Sequence, residues 1–199
     1  MIDEGVIKFS FSRIKNTFNF HHFERINKTR TILHKKELIG EYPIEKLGYG
    51  NISMRSPKGG FYISASQTGA KKVLEESDYV EVHDYSFKDN SLTFSGEMKP
   101  SSESLTHASI YSISDSINAV IHIHHNELWK KMITHHSPST DETIQYGTIE
   151  MAEQVKTISE GKTNFSFVMK GHEDGIIIFA ESMNLALDHT LELYDRYLS

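Results

Sequence analysis

The stretch NAVIHIHH, residues 118–125, decides how the rest of the sequence is interpreted. Its alternation predicts a β-strand on which His122 and His124 face one side of a sheet, while the apolar residues beside them face the other. Two imidazoles at this spacing lie close enough to share one metal ion. An isolated pair of this kind is more often two polar side chains on a strand. Here the apolar flanks predict a central, buried strand, where a metal ion and an outer acceptor would satisfy both nitrogens of each ring.

Outward from this strand, turn residues and hydrophobic periodicity predict alternating strands and helices. A strand over 5–11 would precede a helix that ends at Gly40, and residues 40–53 are typical of a turn-rich loop. Runs of strands then precede a βαβ-like middle, an order that favours a layered α/β domain with a mixed sheet. The remaining predicted strands are 51–55, 60–64, 79–85, 164–169 and 175–180, with a hairpin at 87–94, and the remaining predicted helices are 100–114, 126–134, 147–160 and 182–198.

Length and charge limit the classes of protein. With 199 residues, the chain is expected to form a single domain over 1–199, with 1–20 as an N-terminal extension or edge strand. The formal net charge of -6 and the lack of a basic face predict no nucleic-acid partner. The acidic N-terminus lacks the basic start of a signal peptide, and no apolar run approaches the roughly 20 residues of a membrane helix. We therefore expect a cytoplasmic protein without a membrane partner.

Cysteine is absent, so a disulfide framework is excluded and a transition-metal site would have to use histidine and carboxylate ligands. The sequence holds 12 histidines. His172 lies in the turn MKGHEDG between two apolar strands, a common position for a functional group, although a surface turn histidine is the simpler interpretation of this residue alone. Three histidines would leave one zinc coordination position open for substrate, as a catalytic site requires.

Polar residues near a predicted helix start suggest an anion site. In KPSSE, Ser101 or Ser102 would cap the helix and expose backbone N–H groups at its positive end. Glu103 follows as a candidate general acid or base, although complementing the helix dipole is the commoner use of a glutamate there. Asn51 in GNIS and Ser66 in ISASQTG lie in loops that could also bind an anion, but each loop alone is more often a plain turn. Neither GxxxxGK[ST] nor GxGxxG occurs in the sequence, so nucleotide binding by those routes is unsupported.

Taken in order, these pieces resemble the class II aldolase/adducin family. The resemblance spans about residues 24–198 and is carried by GNIS (50–53), ISAS (63–66), KPSSESLTHASIY (99–111), AVIHIHH (119–125), GTIEMAEQV (147–155) and KGHEDGIIIFAESMNLAL (170–187). It implies a three-layer α/β/α fold with a central, mostly antiparallel sheet. It also implies a homotetramer that binds zinc or another divalent cation.

The resemblance assigns roles residue by residue. It implies that His122, His124 and His172 bind the metal and that Glu103 is the catalytic residue. It further implies a substrate phosphate site made of Asn51, Ser66, Ser101 and Ser102. His107 matches a frequent family histidine, which we interpret as structural. The sequence departs from the family pattern at Gln67, where glycine is common, and at Glu173-Asp174, two residues that many relatives lack between the histidine and the glycine.

The expected function is a zinc-dependent lyase of carbohydrate metabolism. It would cleave or form a C–C bond in a small, phosphorylated hydroxy-ketone through a metal-stabilised enediolate. An epimerase or dehydratase acting on a sugar or polyol phosphate would use the same site. Two further alternatives are a non-catalytic, adducin-like interaction module and a metal site that serves only structure.

Overall fold

An eight-stranded sheet forms the middle of the molecule in the computed structural model, which describes residues 5–15, 20 and 22–198. The strands of this sheet follow the order β1-β7-β6-β5-β4-β8-β10-β9, and all neighbouring pairs are antiparallel except β1 with β7. The strand bounds are β1 Ser10–Arg13, β2 Gly40–Tyr42, β3 Leu47–Tyr49, β4 Asn51–Arg55, β5 Phe61–Ser64, β6 Tyr79–Ser86, β7 Ser91–Ser95, β8 Ala119–His124, β9 Phe165–Val168 and β10 Gly175–Ala180. The helix bounds are α1 Phe23–Lys35, α2 Ser104–Tyr111, α3 Asn126–Thr134, α4 Ile149–Ser159 and α5 Met183–Leu198.

Helices cover both faces of the sheet, which gives the three layers. On one face, apolar residues of α1, α3 and α5 pack with Ile121 and Ile123 of β8 in one core. On the other face, residues of α2 and α4 pack with Val120 in a second core. Since side chains alternate along a strand, His122 and His124 point to the same face as Val120. The predicted three-layer α/β/α class with a mostly antiparallel sheet is confirmed.

The prediction that α1 runs to Gly40 is wrong. The helix ends at Lys35, where Glu37 takes a left-handed φ of 58°. The N–H groups of Glu37 and Leu38 then donate to the carbonyl oxygens of His34 and Leu33, at 3.0 Å each. This is the Schellman ending of a helix, usually made with glycine, and here it is made with a glutamate. A composition-based prediction looks for glycine and therefore places the helix end too late.

The segment predicted as a turn-rich loop, 40–53, instead contains a small hairpin and the start of β4. Strands β2 and β3 pair antiparallel as a separate two-stranded sheet, with Gly40 opposite Tyr49 and Tyr42 opposite Leu47. Each strand has three residues, which are too few for an alternation of polar and apolar residues to be recognised in the sequence. The hairpin brings Tyr42 to the face of the molecule that carries the histidines.

The N-terminal strand lies later than the sequence predicts. Residues 5–9 form no strand, and β1 covers Ser10–Arg13 at the edge of the sheet. The side chain of Phe9 is buried and joins the core beside α2 and α4. Part of the predicted N-terminal extension, residues 1–4 and 16–19, lies outside the described residues. Within the described residues, no helix combines the length and apolar character needed to cross a bilayer.

Candidate metal centre

Three imidazoles meet at the carboxyl end of β8. His122, His124 and His172 each offer a ligand atom, and these atoms all lie within 4.8 Å of one another. The ring centroids are 4.7 Å apart for His122 and His124, 5.1 Å for His122 and His172, and 4.7 Å for His124 and His172. All three side chains are buried. The structure thus brings together the residues that the sequence proposes as metal ligands.

Two elements hold these rings in place. Strand β8 lies between β4 and β10, so that His122 is opposite Asn51 on one side and Ile177 on the other. His172 lies in the turn between β9 and β10, where its N–H donates to the carbonyl oxygen of Met169 at 3.1 Å. Its own carbonyl oxygen accepts the Gly175 N–H at 3.0 Å. The backbone around the third imidazole is therefore fixed by local hydrogen bonds.

The two residues that distinguish this turn from the family pattern fit within it. Glu173 and Asp174 fill the bend between His172 and Gly175, and Asp174 takes a left-handed φ of 67°. The Asp174 carbonyl oxygen accepts the His125 N–H at 3.1 Å, and its side chain accepts a hydrogen bond from Asn126 at 2.7 Å. The longer turn thus folds back on the end of β8 and leaves His172 beside the strand histidines.

Gly175 lets the backbone approach the imidazoles closely. A Cβ at this position would lie 3.1 Å from Nε2 of His122 and 3.4 Å from Cγ of His172. Carbon contacts normally begin near 3.5 Å, so any side chain here would enter the space between the two rings. Glycine keeps that space open.

Hydrogen-bonding groups face the Nδ1 atoms of both strand histidines. Nδ1 of His124 lies 3.0 Å from the hydroxyl oxygen of Tyr42, and Nδ1 of His122 lies 3.4 Å from the amide nitrogen of Asn51. Rotating the Asn51 amide by half a turn would let its oxygen accept an Nδ1–H, and that oxygen otherwise accepts no hydrogen bond from the residues that the structure describes. An imidazole protonated at Nδ1 presents a lone pair at Nε2, which is the form that binds a metal.

Burial keeps the strand histidines neutral. It lowers the pKa of His122 well below 6.5, and the nearby His124, His172 and His107 lower it further. The pKa of His124 is likewise lowered well below 6.5 by burial and then by His172. A metal ligand must carry no proton on its donor atom, so neutral rings are ready for a cation at neutral pH.

Glu103 lies at the N-terminal end of α2, beside the third imidazole. It takes the N-cap position, one residue before the helix, although the sequence predicts that it lies in the first turn. Its carboxylate is 1% exposed, and Oε1 lies 3.3 Å from Nδ1 of His172. Neither carboxylate oxygen is aligned for a hydrogen bond with a described residue. The carboxylate is therefore buried without a compensating donor in the part of the chain that the structure describes.

The prediction that a serine hydroxyl caps α2 is wrong in detail. The Glu103 side chain makes no cap hydrogen bond, and the Ser101 hydroxyl accepts the Glu103 N–H at 3.3 Å, one step before the helix begins. The first turn is closed instead by the Ser101 carbonyl oxygen, which accepts the N–H of Ser104 at 3.0 Å and its hydroxyl at 2.7 Å.

The four residues proposed for phosphate binding line one small cavity next to the histidines. It is walled by hydroxyl and amide side chains and by glycine backbone, namely Gly5, Gly48, Gly50, Asn51, Ala65, Ser66, Gln67, Thr68, Gly69, Ser101 and Ser102. The Ser66 N–H donates to the carbonyl oxygen of Lys99 at 3.0 Å, which ties the two serine-containing loops together. Asn51 touches both this cavity and His122, so the cavity and the histidine cluster are adjacent.

Sequence reasoning missed three residues that surround the histidines. Tyr42 lies in the hairpin that was predicted as a loop, and Gly175 is the glycine that the resemblance places after the third histidine without assigning it a role. Tyr146 lies in an irregular segment, and its ring stacks on His172 with centroids 4.5 Å apart and an interplanar angle of 27°. Only proximity in the fold shows that these residues contact the histidines.

His107, interpreted as structural, lies inside the protein beneath the site. Its Nδ1 is 2.6 Å from the hydroxyl of Ser53, which also lies 2.8 Å from the hydroxyl of Tyr111. Burial lowers the pKa of His107 to about 3. The ring is thus a neutral member of a buried hydrogen-bond network between β4 and α2.

A divalent cation fits the arrangement of these side chains. Nε2 of His122 is buried and has no hydrogen-bond partner among the described residues. The same neighbourhood holds a buried carboxylate that accepts no hydrogen bond from the described residues, and the open space beside Gly175. A buried lone pair and a buried negative charge are each costly without a compensating group, and one cation would compensate both. Three imidazoles are a frequent ligand set for catalytic zinc.

Comparisons with known proteins found a matching family model and solved structures of similar fold. Residues 31–196 match the family model described as the Class II Aldolase and Adducin N-terminal domain. An L-fuculose 1-phosphate aldolase is similar in structure, with a TM-score of 0.61 and 20% identity over 90% of this chain and 87% of that one. A sugar-phosphate aldolase from Thermotoga maritima has a TM-score of 0.62 and 19% identity, over 87% of this chain and 90% of that one.

YgbL from Klebsiella pneumoniae, described as a putative aldolase/epimerase/decarboxylase, has a TM-score of 0.65 and 16% identity, over 86% of this chain and 84% of that one. At these identities the similarity concerns the fold. No curated protein sequence matches the chain.

Proposed function

The chain belongs to the class II aldolase and adducin family, and from that membership we propose that it is a divalent-metal-dependent lyase. The proposed reaction cleaves or forms a C–C bond in a small, phosphorylated hydroxy-ketone. One observation carries the proposal, namely that three buried imidazoles surround a space beside a buried carboxylate. A metal site that served only structure would need neither that carboxylate nor the adjoining polar cavity.

His122, His124 and His172 would hold the cation, and zinc is the ion we propose because a three-imidazole set is typical of its catalytic sites. When bound, the cation supplies the electrophile that polarises the substrate carbonyl and offsets the negative charge that develops as the C–C bond breaks. Tyr42 and Asn51 would orient the two strand imidazoles through their Nδ1 atoms.

Glu103 would take and return the proton of the reacting hydroxyl or carbon. Its carboxylate lies next to the third imidazole, within reach of an atom that approaches the open side of the cluster. Burial removes water that would otherwise compete for its lone pairs, because the side chain is 1% exposed. A positioned carboxylate of this kind contributes about 10²–10⁴-fold to the rate of a proton transfer.

Asn51, Ser66, Ser101 and Ser102 would bind the substrate phosphate. They line the cavity beside the histidines, and their amide and hydroxyl groups can donate to phosphate oxygens. Holding the phosphate there would place the adjacent hydroxy-ketone beside the imidazoles. Such positioning is itself a large part of catalysis, since it converts an encounter into a reaction between fixed groups.

The test combines metal analysis with an assay of product. Purified protein should contain or bind about one zinc ion per chain, and His122→Ala or His124→Ala should lose it. Glu103→Gln should keep the metal and lose at least about a hundredfold in turnover of phosphorylated hydroxy-ketones. His135→Ala, which changes an exposed histidine, serves as the control and should match the wild type.

The products identify the reaction class. A lyase releases two fragments, an epimerase returns an isomer, and a dehydratase releases water from an intact carbon chain. Normal turnover by the Glu103→Gln variant would rule out the role assigned to that carboxylate. A folded protein that binds no divalent metal would favour a non-catalytic, adducin-like module instead.

We further propose a single-domain, cytoplasmic homotetramer that acts in carbohydrate metabolism, which is what the family resemblance implies. The lack of cysteine suits a reducing compartment. Light scattering of the purified protein should give four times the chain mass of 22.8 kDa, and a monomeric mass would refute the assembly.

A further inference from the structure

The N-terminal residues 5–8, named here the N-terminal strap, lie across the cavity that we propose for phosphate. Gly5 lines that cavity together with Gln67. The contact is close, because a Cβ on Gly5 would collide with Nε2 of Gln67. Gly5 also has a φ of +73°, a conformation that suits glycine. The strap precedes the region that matches the family model, which begins at residue 31.

Gln67 completes the outer wall of the cavity. It is an exposed residue with a left-handed φ of 60°, and its Oε1 accepts the N–H of Gly48 at 2.9 Å. The side chain therefore reaches from its own loop to Gly48 on one side and Gly5 on the other. A glycine at this position would leave this part of the wall open.

Tyr146 connects the strap to the histidine cluster. The N–H of Val6 donates to the Tyr146 hydroxyl at 3.2 Å, and Nζ of Lys8 lies 4.0 Å from the centroid of the same ring. The ring itself stacks on His172 and is almost fully buried. Docking of the strap thus holds the aromatic neighbour of a proposed metal ligand.

The strap is held unevenly along its length. Val6 is tied through its N–H to Tyr146, and its side chain is 51% exposed. Ile7 packs against the core beside α2 and α4, the Lys8 carbonyl oxygen accepts a hydrogen bond from Nδ2 of Asn90 at 2.8 Å, and Nζ of Lys8 donates to Oε1 of Gln145 at 3.2 Å. Release of residues 5 and 6 therefore disturbs less structure than release of a strand of the sheet.

The space under the docked strap is too small for a phosphate group. The cavity has a volume of about 20 Å³, which is room for about one water molecule. A phosphate monoester presents three terminal oxygens, each about the size of a water molecule. A phosphate group therefore requires the cavity to widen, and Gly5 of the strap and the Gln67 side chain are two of the groups that line it.

We propose that the N-terminal strap and Gln67 determine what this pocket admits, and that phosphate binds only when Gly5 and Val6 of the strap have moved away and the Gln67 side chain has turned. With the strap docked, the pocket accepts a group no larger than a water molecule. Tyr146 acts as a positioning residue that links the strap to His172. This inference rests on the proposed function of the cavity as the phosphate site.

The test measures inorganic phosphate binding to the full-length, zinc-loaded protein by calorimetry, together with amide hydrogen exchange at residues 6–8. Gly5→Ala and Val6→Pro should weaken docking, the first through the collision with Gln67 and the second by removing the N–H that Tyr146 accepts. Val6→Ala keeps that N–H and is the matched control. If docking competes with phosphate, the first two variants should bind phosphate about fivefold more tightly, the effect of losing roughly one hydrogen bond.

Hydrogen exchange gives the direct readout. In the wild type, saturating phosphate should speed exchange at residues 6–8, and in Tyr146→Phe exchange there should already be faster without phosphate. Unchanged or slower exchange with phosphate bound would overturn the competition. The same conclusion would follow if Gly5→Ala and Val6→Pro bound phosphate no more tightly than Val6→Ala.

A further variant establishes where phosphate binds. Ser66→Asp places a negative charge in the cavity wall and should abolish phosphate binding without removing zinc. Phosphate binding that survives this change lies elsewhere and overturns the proposal. Because zinc content and lyase turnover are measured separately, failure of the strap proposal can be told apart from failure of the proposed function.

Discussion

Replacing Gly175 with alanine tests whether a metal ion binds in the space between the imidazoles. The added Cβ would lie 3.1 Å from Nε2 of His122, 3.4 Å from Cγ of His172 and 3.0 Å from the His172 carbonyl oxygen. Ordinary carbon contacts begin near 3.5 Å, so the His122 ring must retreat by about 0.4 Å. Metal sites keep their ligand distances within about 0.2 Å of ideal values. The displacement exceeds that tolerance.

We therefore expect Gly175→Ala to lower zinc affinity by about 10–100-fold, the range seen when residues that orient metal ligands are changed. The crowding should also cost about 1–3 kcal/mol of folding free energy. Zinc affinity would be measured by competition with a chromogenic chelator, and stability by urea denaturation of the metal-free protein. Gly161→Ala is the control, because Gly161 has a φ of +69° and no neighbour within 4 Å of its added Cβ. It should lose a comparable amount of stability and keep its zinc affinity.

A folded Gly175→Ala protein that bound zinc within twofold of the wild type would refute this reasoning. It would mean either that the cation lies away from Nε2 of His122 or that the backbone yields without moving the ring. If Gly161→Ala lost as much zinc affinity as Gly175→Ala, general destabilisation, and not the local contact, would explain the effect.

Three further outcomes follow from the contacts around the centre. Tyr42→Phe removes the hydroxyl that lies 3.0 Å from Nδ1 of His124, so zinc affinity should fall about tenfold in the same chelator assay with little change in melting temperature. The pKa of His107 is about 3 in the folded protein against 6.5 for the free side chain, so below pH 6.5 only the unfolded chain binds that proton. Stability of the metal-free protein should then fall by about 2 kcal/mol between pH 6.5 and pH 4.5 from this residue alone, and a flat urea-denaturation profile over that range would contradict it. Arg30, 1% exposed, donates to the carbonyl oxygens of Thr68, Gly69 and Lys71, so Arg30→Lys should cost about 2 kcal/mol of stability and weaken phosphate binding, and unchanged calorimetry would argue against a role in shaping that loop.

The centre of the fold could be predicted because its residues repeat with a clear period. β8 is apolar on one face and carries the histidine pair on the other, its neighbour β10 is a short apolar run, and its neighbour β4 alternates polar and apolar residues. These signals depend on local sequence and survive without knowledge of the partners. The same is true of the hairpin between β6 and β7, where Asn90 takes the left-handed conformation that the sequence favours.

The surroundings of the histidines could not be predicted, because they depend on contacts between distant segments. Tyr42 belongs to a three-residue strand next to a proline, and its approach to His124 follows from where α1 ends. That end is set by Glu37 in a conformation that sequence rules reserve for glycine. Tyr146 reaches His172 through an irregular segment. Contacts between distant segments produce no periodic pattern in the sequence.

The way the candidate ligands are distributed along the chain has a consequence for how the protein acquires its cation. Two imidazoles sit on β8, and the third arrives only after β9 has been added and the turn into β10 has closed. A nascent or partly folded chain that lacks the last hairpin offers only two histidine ligands. Such a site binds a metal ion weakly and exchanges it fast. Tight capture should therefore be the final event of maturation, and chelation should release an ion from a protein whose architecture is already complete.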